Sequence, residues 1–80
     1  MGKVEVRLYA NLRQYHPELG RDDVLEVSLD NRTKLGDLLA KLKVPRKEIS
    51  IVMVNGKHER DEYLLKDGDR VGVFPLIGGG

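Results

Sequence analysis

The sequence predicts an α+β fold: a mixed sheet of four to five strands with one main helix packed across one face. Three observations predict it. Apolar and polar residues alternate with period two in "KVEVRLY", "VLEVSL" and "RVGVFPLI", at the start, the middle and the end of the chain. A single stretch changes to helical period, with Leu35, Leu38, Leu39 and Leu42 at i, i+3, i+4 and i+7. Two strand-turn-strand patterns flank that stretch, which suggests two hairpins with the helix between them lying over the sheet.

In the first strand Val4, Val6 and Leu8 share one face, and Lys3, Glu5, Arg7 and Tyr9 share the other. The segment "ANLRQYHPELGRDD" mixes Pro17, Gly20 and Asp22-Asp23 with no sustained period, so it reads as a long loop with a helical turn around "NLRQY". A second strand then places Leu25, Val27 and Leu29 on one face, ready to pair antiparallel with the first. Thr33 is the expected N-cap of the leucine helix, because its hydroxyl can accept from an unpaired amide of the first turn, and Pro45 marks the end beyond Lys41 and Lys43. Gly36 weakens an isolated helix by roughly 1 kcal/mol relative to alanine, so close packing against a strand is its expected reason.

"ISIVMV" is apolar at five of six positions, the look of a central strand covered on both sides. Asn55-Gly56 is the strongest hairpin signal in the chain and leads into a short strand, "KHER". "KDGD" forms a further turn. In the last strand Val71 and Val73 face the helix, Gly72 and Phe74 face away, and Pro75, lacking an N–H, belongs at the strand's end. The leucine stripe then meets Val4, Val6, Leu8, Leu25, Val27, Leu29, Val71 and Val73 in one core, leaving Tyr9 and Phe74 on the open face.

Composition narrows the function. Eighty residues with 40% hydrophobic content support one domain with one modest core; we place it at 1–77, with 78–80 as a flexible glycine tail. Fourteen basic and thirteen acidic residues are interspersed and nearly cancel to a formal +1, which argues against nucleic acid or an anionic membrane bound by bulk charge. Cysteine is absent, so thiol chemistry must come from a partner. No apolar run has transmembrane length and "MGKVEVR" lacks the apolar core of a signal peptide, giving the expectation of a cytoplasmic protein, monomeric when free.

Within the domain, candidate chemistry is sparse. His16 and His58 lie in polar segments without a second ligand at metal spacing and read as solvated surface histidines. "ERDE" at 59–62 lacks the alternating oxygen ligands and glycine of a calcium loop and reads as a solvated loop. Ser28, Ser50 and Thr33 have no base nearby in sequence. The expected metal count is none, and no active site of the chain's own is apparent.

The end of the chain, "FPLIGGG", is different. Gly78, Gly79 and Gly80 bury nothing and lose the most entropy on ordering, so stability is not their purpose. Three extended residues reach about 10 Å, and a glycine strand enters a channel that any side chain would block. Such a tail can deliver the Gly80 carboxylate into an enclosed site on another protein. A free carboxylate is a poor acyl donor; coupling it to AMP supplies the leaving group that a sulfur or amine nucleophile then displaces. The plain reading of the same residues is a frayed terminus.

In element order and in "LKDGDRVGVFPLIGGG", supported by "VRLYANLRQY" and the "VNG" hairpin, the whole chain resembles the MoaD/ThiS-type ubiquitin-like sulfur carriers. These include the small subunit of molybdopterin synthase and the thiamine-biosynthesis carrier. The resemblance implies a β-grasp fold. The long segment after the first strand and the "FP" step favour the molybdopterin synthase type. The resemblance also implies that the terminal glycine is adenylated by an ATP-dependent adenylyltransferase of the ubiquitin-activating type, then converted to a thiocarboxylate. That sulfur passes to an acceptor enzyme such as the large subunit of molybdopterin synthase, so the chain would be the small, sulfur-donating subunit and would itself bind no cofactor. Gly80 and Gly79 carry over as the reactive pair, and Phe74, Pro75, Leu76, Ile77, Gly78 and Tyr9 as the partner-binding surface. The family usually has another residue where Gly78 stands, so the reactive carboxylate belongs to Gly80 or, if that residue is trimmed, to Gly79. Two rival readings stay open: a ubiquitin-type modifier captured by a lysine amine, and a noncovalent β-grasp module acting through its open face. The pathway that receives the sulfur also stays open.

Overall fold

The structure, a computed structural model, describes residues 2–18, 24–30 and 32–76. Its elements are β1 (Gly2–Leu8), a 3₁₀ turn (Ala10–Tyr15), β2 (Leu25–Leu29), α1 (Leu35–Lys41), a second 3₁₀ turn (Arg46–Glu48), β3 (Ile49–Val54), β4 (Lys57–His58) and β5 (Arg70–Pro75). One five-stranded sheet runs in the order β2-β1-β5-β3-β4. β1 pairs antiparallel with β2, placing Val4 opposite Val27, and parallel with β5, placing Val6 opposite Val71. The first and last strands therefore lie together in the middle of the sheet, and their parallel pairing makes it the mixed sheet expected.

The helix forms because its leucine stripe has a core to enter. Leu35, Leu38, Leu39 and Leu42 are all buried against Val4, Val6, Leu8, Leu29, Val71 and Val73, and burying each such side chain is worth about 2 kcal/mol. Leu25 and Val27, expected inside, are only partly buried beside that cluster, because β2 is an edge strand. Leu12 from the first 3₁₀ turn, Val44, and Leu65 from the segment before β5 complete the core.

Five further expectations are corrected. Thr33 is not the N-cap: Lys34 holds that position, and the Thr33 hydroxyl donates to the Asp30 carbonyl at 3.0 Å. The free amides of the first turn find partners elsewhere, Leu35 N–H donating to the Tyr63 carbonyl at 2.8 Å and Gly36 N–H to that of Asp61 at 3.0 Å. Gly36 does permit a close approach, but to this loop: a Cβ there would meet the Asp61 Cβ at 3.0 Å. The "ERDE" segment is accordingly more than a solvated loop, since it caps α1 and pairs Asp61 with Arg46 at 2.7 Å.

The other two concern strands. The strand expected over "KHER" shortens to Lys57–His58. β3 is not covered on both sides. Val52 and Val54 face the core, and a register shift between Ile49 and Ile51 turns Ile49 inward as well. Ile51 is left 42% exposed on the other side.

The turns hold as read. Asn55 and Gly56 both have positive φ, 53° and 84°, the conformation of a type I′ hairpin turn. Gly68 supplies the positive φ of "KDGD", and Asp69 behind it is 4% exposed. Its Oδ2 accepts from the Lys66 N–H at 2.8 Å and the Tyr63 hydroxyl at 3.2 Å; its Oδ1 accepts from the Asn55 amide at 2.9 Å. Asn55 returns the link by accepting from the Arg70 N–H at 2.9 Å. One buried carboxylate thus ties together the two turns that precede and follow the loop.

Candidate functional site

Among the described residues, the side of the sheet away from α1 is open. Residues that point there from β1 and β5 are those of odd number in β1 and even number in β5, so Arg7, Gly72 and Met53 fall in one row across β1, β5 and β3. Glu26, Glu5 and Arg70 form the neighbouring row, charged throughout. Toward the C-terminal end of β5 the face turns apolar: Phe74 stands beside Ile51, and Tyr9 leaves β1 to stack on it.

The ring centroids of Tyr9 and Phe74 are 4.3 Å apart, with planes 7° from parallel. Gly72 makes this possible. A Cβ on Gly72 would stand 3.3 Å from a carbon of each ring, so both rings lie down over bare backbone. Beside them runs a groove of about 420 Å³, lined by Tyr9, Gly72, Phe74, Met53, Arg7 and Arg70 among others. The charged part of the lining is mixed, Arg7 and Arg70 with Glu5, and the apolar part, Tyr9, Phe74 and Met53, can take an apolar side chain.

Of the expected partner-facing residues, the structure brings Tyr9 and Phe74 together and leaves Leu76, two residues after Phe74, 60% exposed. Pro75 lies at the end of β5, opposite Ile49, with its ring buried on the core side. Ile77, Gly78, Gly79 and Gly80 lie outside the described residues. The root of that segment is fixed: Leu76 N–H donates to the Glu48 carbonyl at 3.1 Å, and Tyr9 N–H donates to the Val73 carbonyl at 3.1 Å.

Around this root the sequence reading missed two contacts. The Tyr15 hydroxyl donates to Glu48 Oε1 at 2.7 Å, which raises the Tyr15 pKa because the carboxylate holds the phenolic proton. His16, expected in solvent, is partly buried, its Nε2 lying 2.8 Å from the Leu42 carbonyl oxygen and its Nδ1 3.3 Å from Glu18 Oε2. His58 is exposed. Sequence separations of 33 and 26 residues leave no local signal for such pairs. Gly72 could have been found, since a glycine inside a strand marks a close approach. Among the described residues there is no group of three or more potential metal ligands, and no helix is long and apolar enough to cross a membrane.

Comparison with known proteins places this geometry. A family profile described as Mut7-C ubiquitin matches residues 1–78. No curated protein matches the chain. Among solved structures, a Pyrococcus furiosus protein named as molybdopterin converting factor subunit 1 is 27% identical, with TM-score 0.79 over 96% of this chain and 100% of its own. The small archaeal modifier protein 1 of Methanosarcina acetivorans is 30% identical, with TM-score 0.72 over 100% and 98%. A Helicobacter pylori structure, a complex of subunits 1 and 2 of molybdopterin-converting factor, is 21% identical, with TM-score 0.63 over 98% and 99%; it shares the fold.

Proposed function

The chain belongs to the Mut7-C ubiquitin family and is a MoaD/ThiS-type, ubiquitin-like β-grasp protein, and from that premise we propose that it is a sulfur carrier acting through its terminal glycine. The observation that carries the reading is the placement of the glycine run. Gly78, Gly79 and Gly80 follow in sequence on a strand whose end is anchored on both sides, next to an apolar groove suited to a partner.

The chemistry is acyl activation. A Gly80 carboxylate oxygen attacks the α-phosphorus of ATP on an activating enzyme, pyrophosphate leaves, and an acyl-adenylate forms. Hydrosulfide then attacks the acyl carbon, AMP leaves with the electron pair of the broken C–O bond, and a thiocarboxylate remains. The protein supplies the slim donor and the docking face, while the enzyme supplies the ATP site. For the acceptor, the proposal is the large subunit of a molybdopterin synthase; the Pyrococcus furiosus and Helicobacter pylori neighbours support it through their names. Cytoplasmic placement follows from that pathway and belongs to the proposal.

A second reading has its own support, because the 30%-identical neighbour from Methanosarcina acetivorans is named a modifier. There a lysine amine replaces hydrosulfide and an amide bond forms. One experiment separates the readings. The chain is incubated with ATP and a cell extract in the presence and absence of sulfide, then run under denaturing, reducing conditions. Conjugates that survive identify the modifier; a thiocarboxylate without conjugates identifies the carrier. Unchanged function after deletion of Gly79 and Gly80 contradicts both and leaves the noncovalent module.

A further inference from the structure

One residue touches both the body of the domain and the base of the tail. Glu48 ends the second 3₁₀ turn, and its side chain accepts from the Tyr15 hydroxyl, the last residue of the first 3₁₀ turn. Its backbone carbonyl accepts from Leu76 N–H, and the next residue, Ile49, stands opposite Pro75. Leu76 is 60% exposed, so burial does little to hold it. The carbonyl that holds it belongs to a residue oriented from a sequence distance of 33 by a short, charge-assisted hydrogen bond.

We propose that Tyr15 and Glu48 are positioning residues for acyl transfer, fixing the direction in which the tail leaves the domain. The proposal rests on the carrier reading and deepens it. From Leu76 to Gly80 is four residues, which reach about 13 Å when extended. Entry of the tail into a docked partner's site is an intramolecular step. Its rate follows the effective concentration of Gly80 at that site, which falls as the base is freed to swing. Docking through Tyr9 and Phe74 is a separate contact and does not depend on the pair. Loosening the base therefore lowers kcat for adenylation and leaves KM in place. Loss of folded protein does the reverse, raising the apparent KM.

The test uses three full-length variants: Tyr15→Phe and Glu48→Ala, which remove the hydrogen bond, and Glu48→Gln, whose amide oxygen still accepts it. Amide hydrogen exchange is read without any partner, and ATP–pyrophosphate exchange is read with an enzyme that activates the wild-type chain. The expected result for Tyr15→Phe and Glu48→Ala is exchange at Leu76 about tenfold faster, with Val6 and Val52 unchanged. The same two variants lower kcat about three- to tenfold at constant KM, and Glu48→Gln restores both readings. Wild-type exchange at Leu76 together with wild-type kcat overturns the proposal. So does faster exchange across the whole core accompanied by a raised KM, which marks a purely structural bond. A wild-type chain that no enzyme activates overturns the carrier reading and the positioning role with it, while the exchange data still report whether the pair holds Leu76.

Discussion

Phe74 and Tyr9 lie face to face over Gly72, two rings 4.3 Å apart resting on a strand that has no side chain beneath them. The parallel pairing of β1 with β5 creates this arrangement, because it brings the residue that follows β1 alongside the end of β5. The stack thus sits at the end of β5, and in the carrier reading it is the face that a partner taking up the glycine run would meet.

Replacing Phe74 by alanine is expected to cost more in binding than in folding. The ring is only half-buried, so urea unfolding should show a loss of about 1 kcal/mol. Affinity for the acceptor or activating enzyme, measured by calorimetry, should fall by about 2 kcal/mol or more, as for a central aromatic anchor. Unchanged affinity would remove this face from the docking surface.

Asp69→Ala should be among the most damaging single changes outside the apolar core. It leaves the Lys66 amide, the Tyr63 hydroxyl and the Asn55 side chain without their common acceptor. A loss of about 2–4 kcal/mol is expected in chemical denaturation, since a hydrogen-bonded buried carboxylate is removed and its donors are stranded.

Gly36→Ala sets two effects against each other. Helix propensity alone favours alanine by about 1 kcal/mol. The added methyl, however, meets Asp61 at 3.0 Å, and Asp61 cannot easily retreat because its carbonyl caps α1 and its carboxylate holds Arg46. The expected outcome is net destabilisation in thermal melts; a higher Tm would show that the loop yields freely.

The Tyr15–Glu48 bond predicts a pH dependence with a definite sign. The folded Tyr15 pKa lies above the ordinary value of 10.0, chiefly through the hydrogen bond to Glu48. In the unfolded chain the phenol ionises first, so the bond's contribution is complete below that ordinary value and is lost as pH rises through the folded one. The stability gap between the wild type and Tyr15→Phe should therefore narrow on the alkaline side. Urea titrations of both proteins across that range check it.

The core was legible because it is built from periodicity: the leucine stripe and the alternating valines each report which side faces in. β3 was misread for a physical reason. Its inner face and a partly exposed apolar patch, Ile51 and Met53, both contribute apolar residues, and a one-dimensional pattern cannot separate a covered face from a docking face. Thr33 was misread because the amides of the first turn of α1 are satisfied by a loop 25 to 28 residues further on. Tyr15, Glu48 and His16 were invisible for the same reason, since their partners are distant in sequence. The glycine run, Gly78 to Gly80, is plain in the sequence as a stretch without side chains, and its reading as an acyl donor belongs to the proposal.

The most direct test of the central claim is the intact mass of the protein before and after incubation with ATP, sulfide and an activating enzyme of the ubiquitin-activating type. The carrier account predicts a gain equal to one oxygen replaced by sulfur, mapped to Gly80 and abolished when Gly79 and Gly80 are deleted. An enzyme that binds the tail and hydrolyses ATP yet leaves the mass unchanged would contradict it.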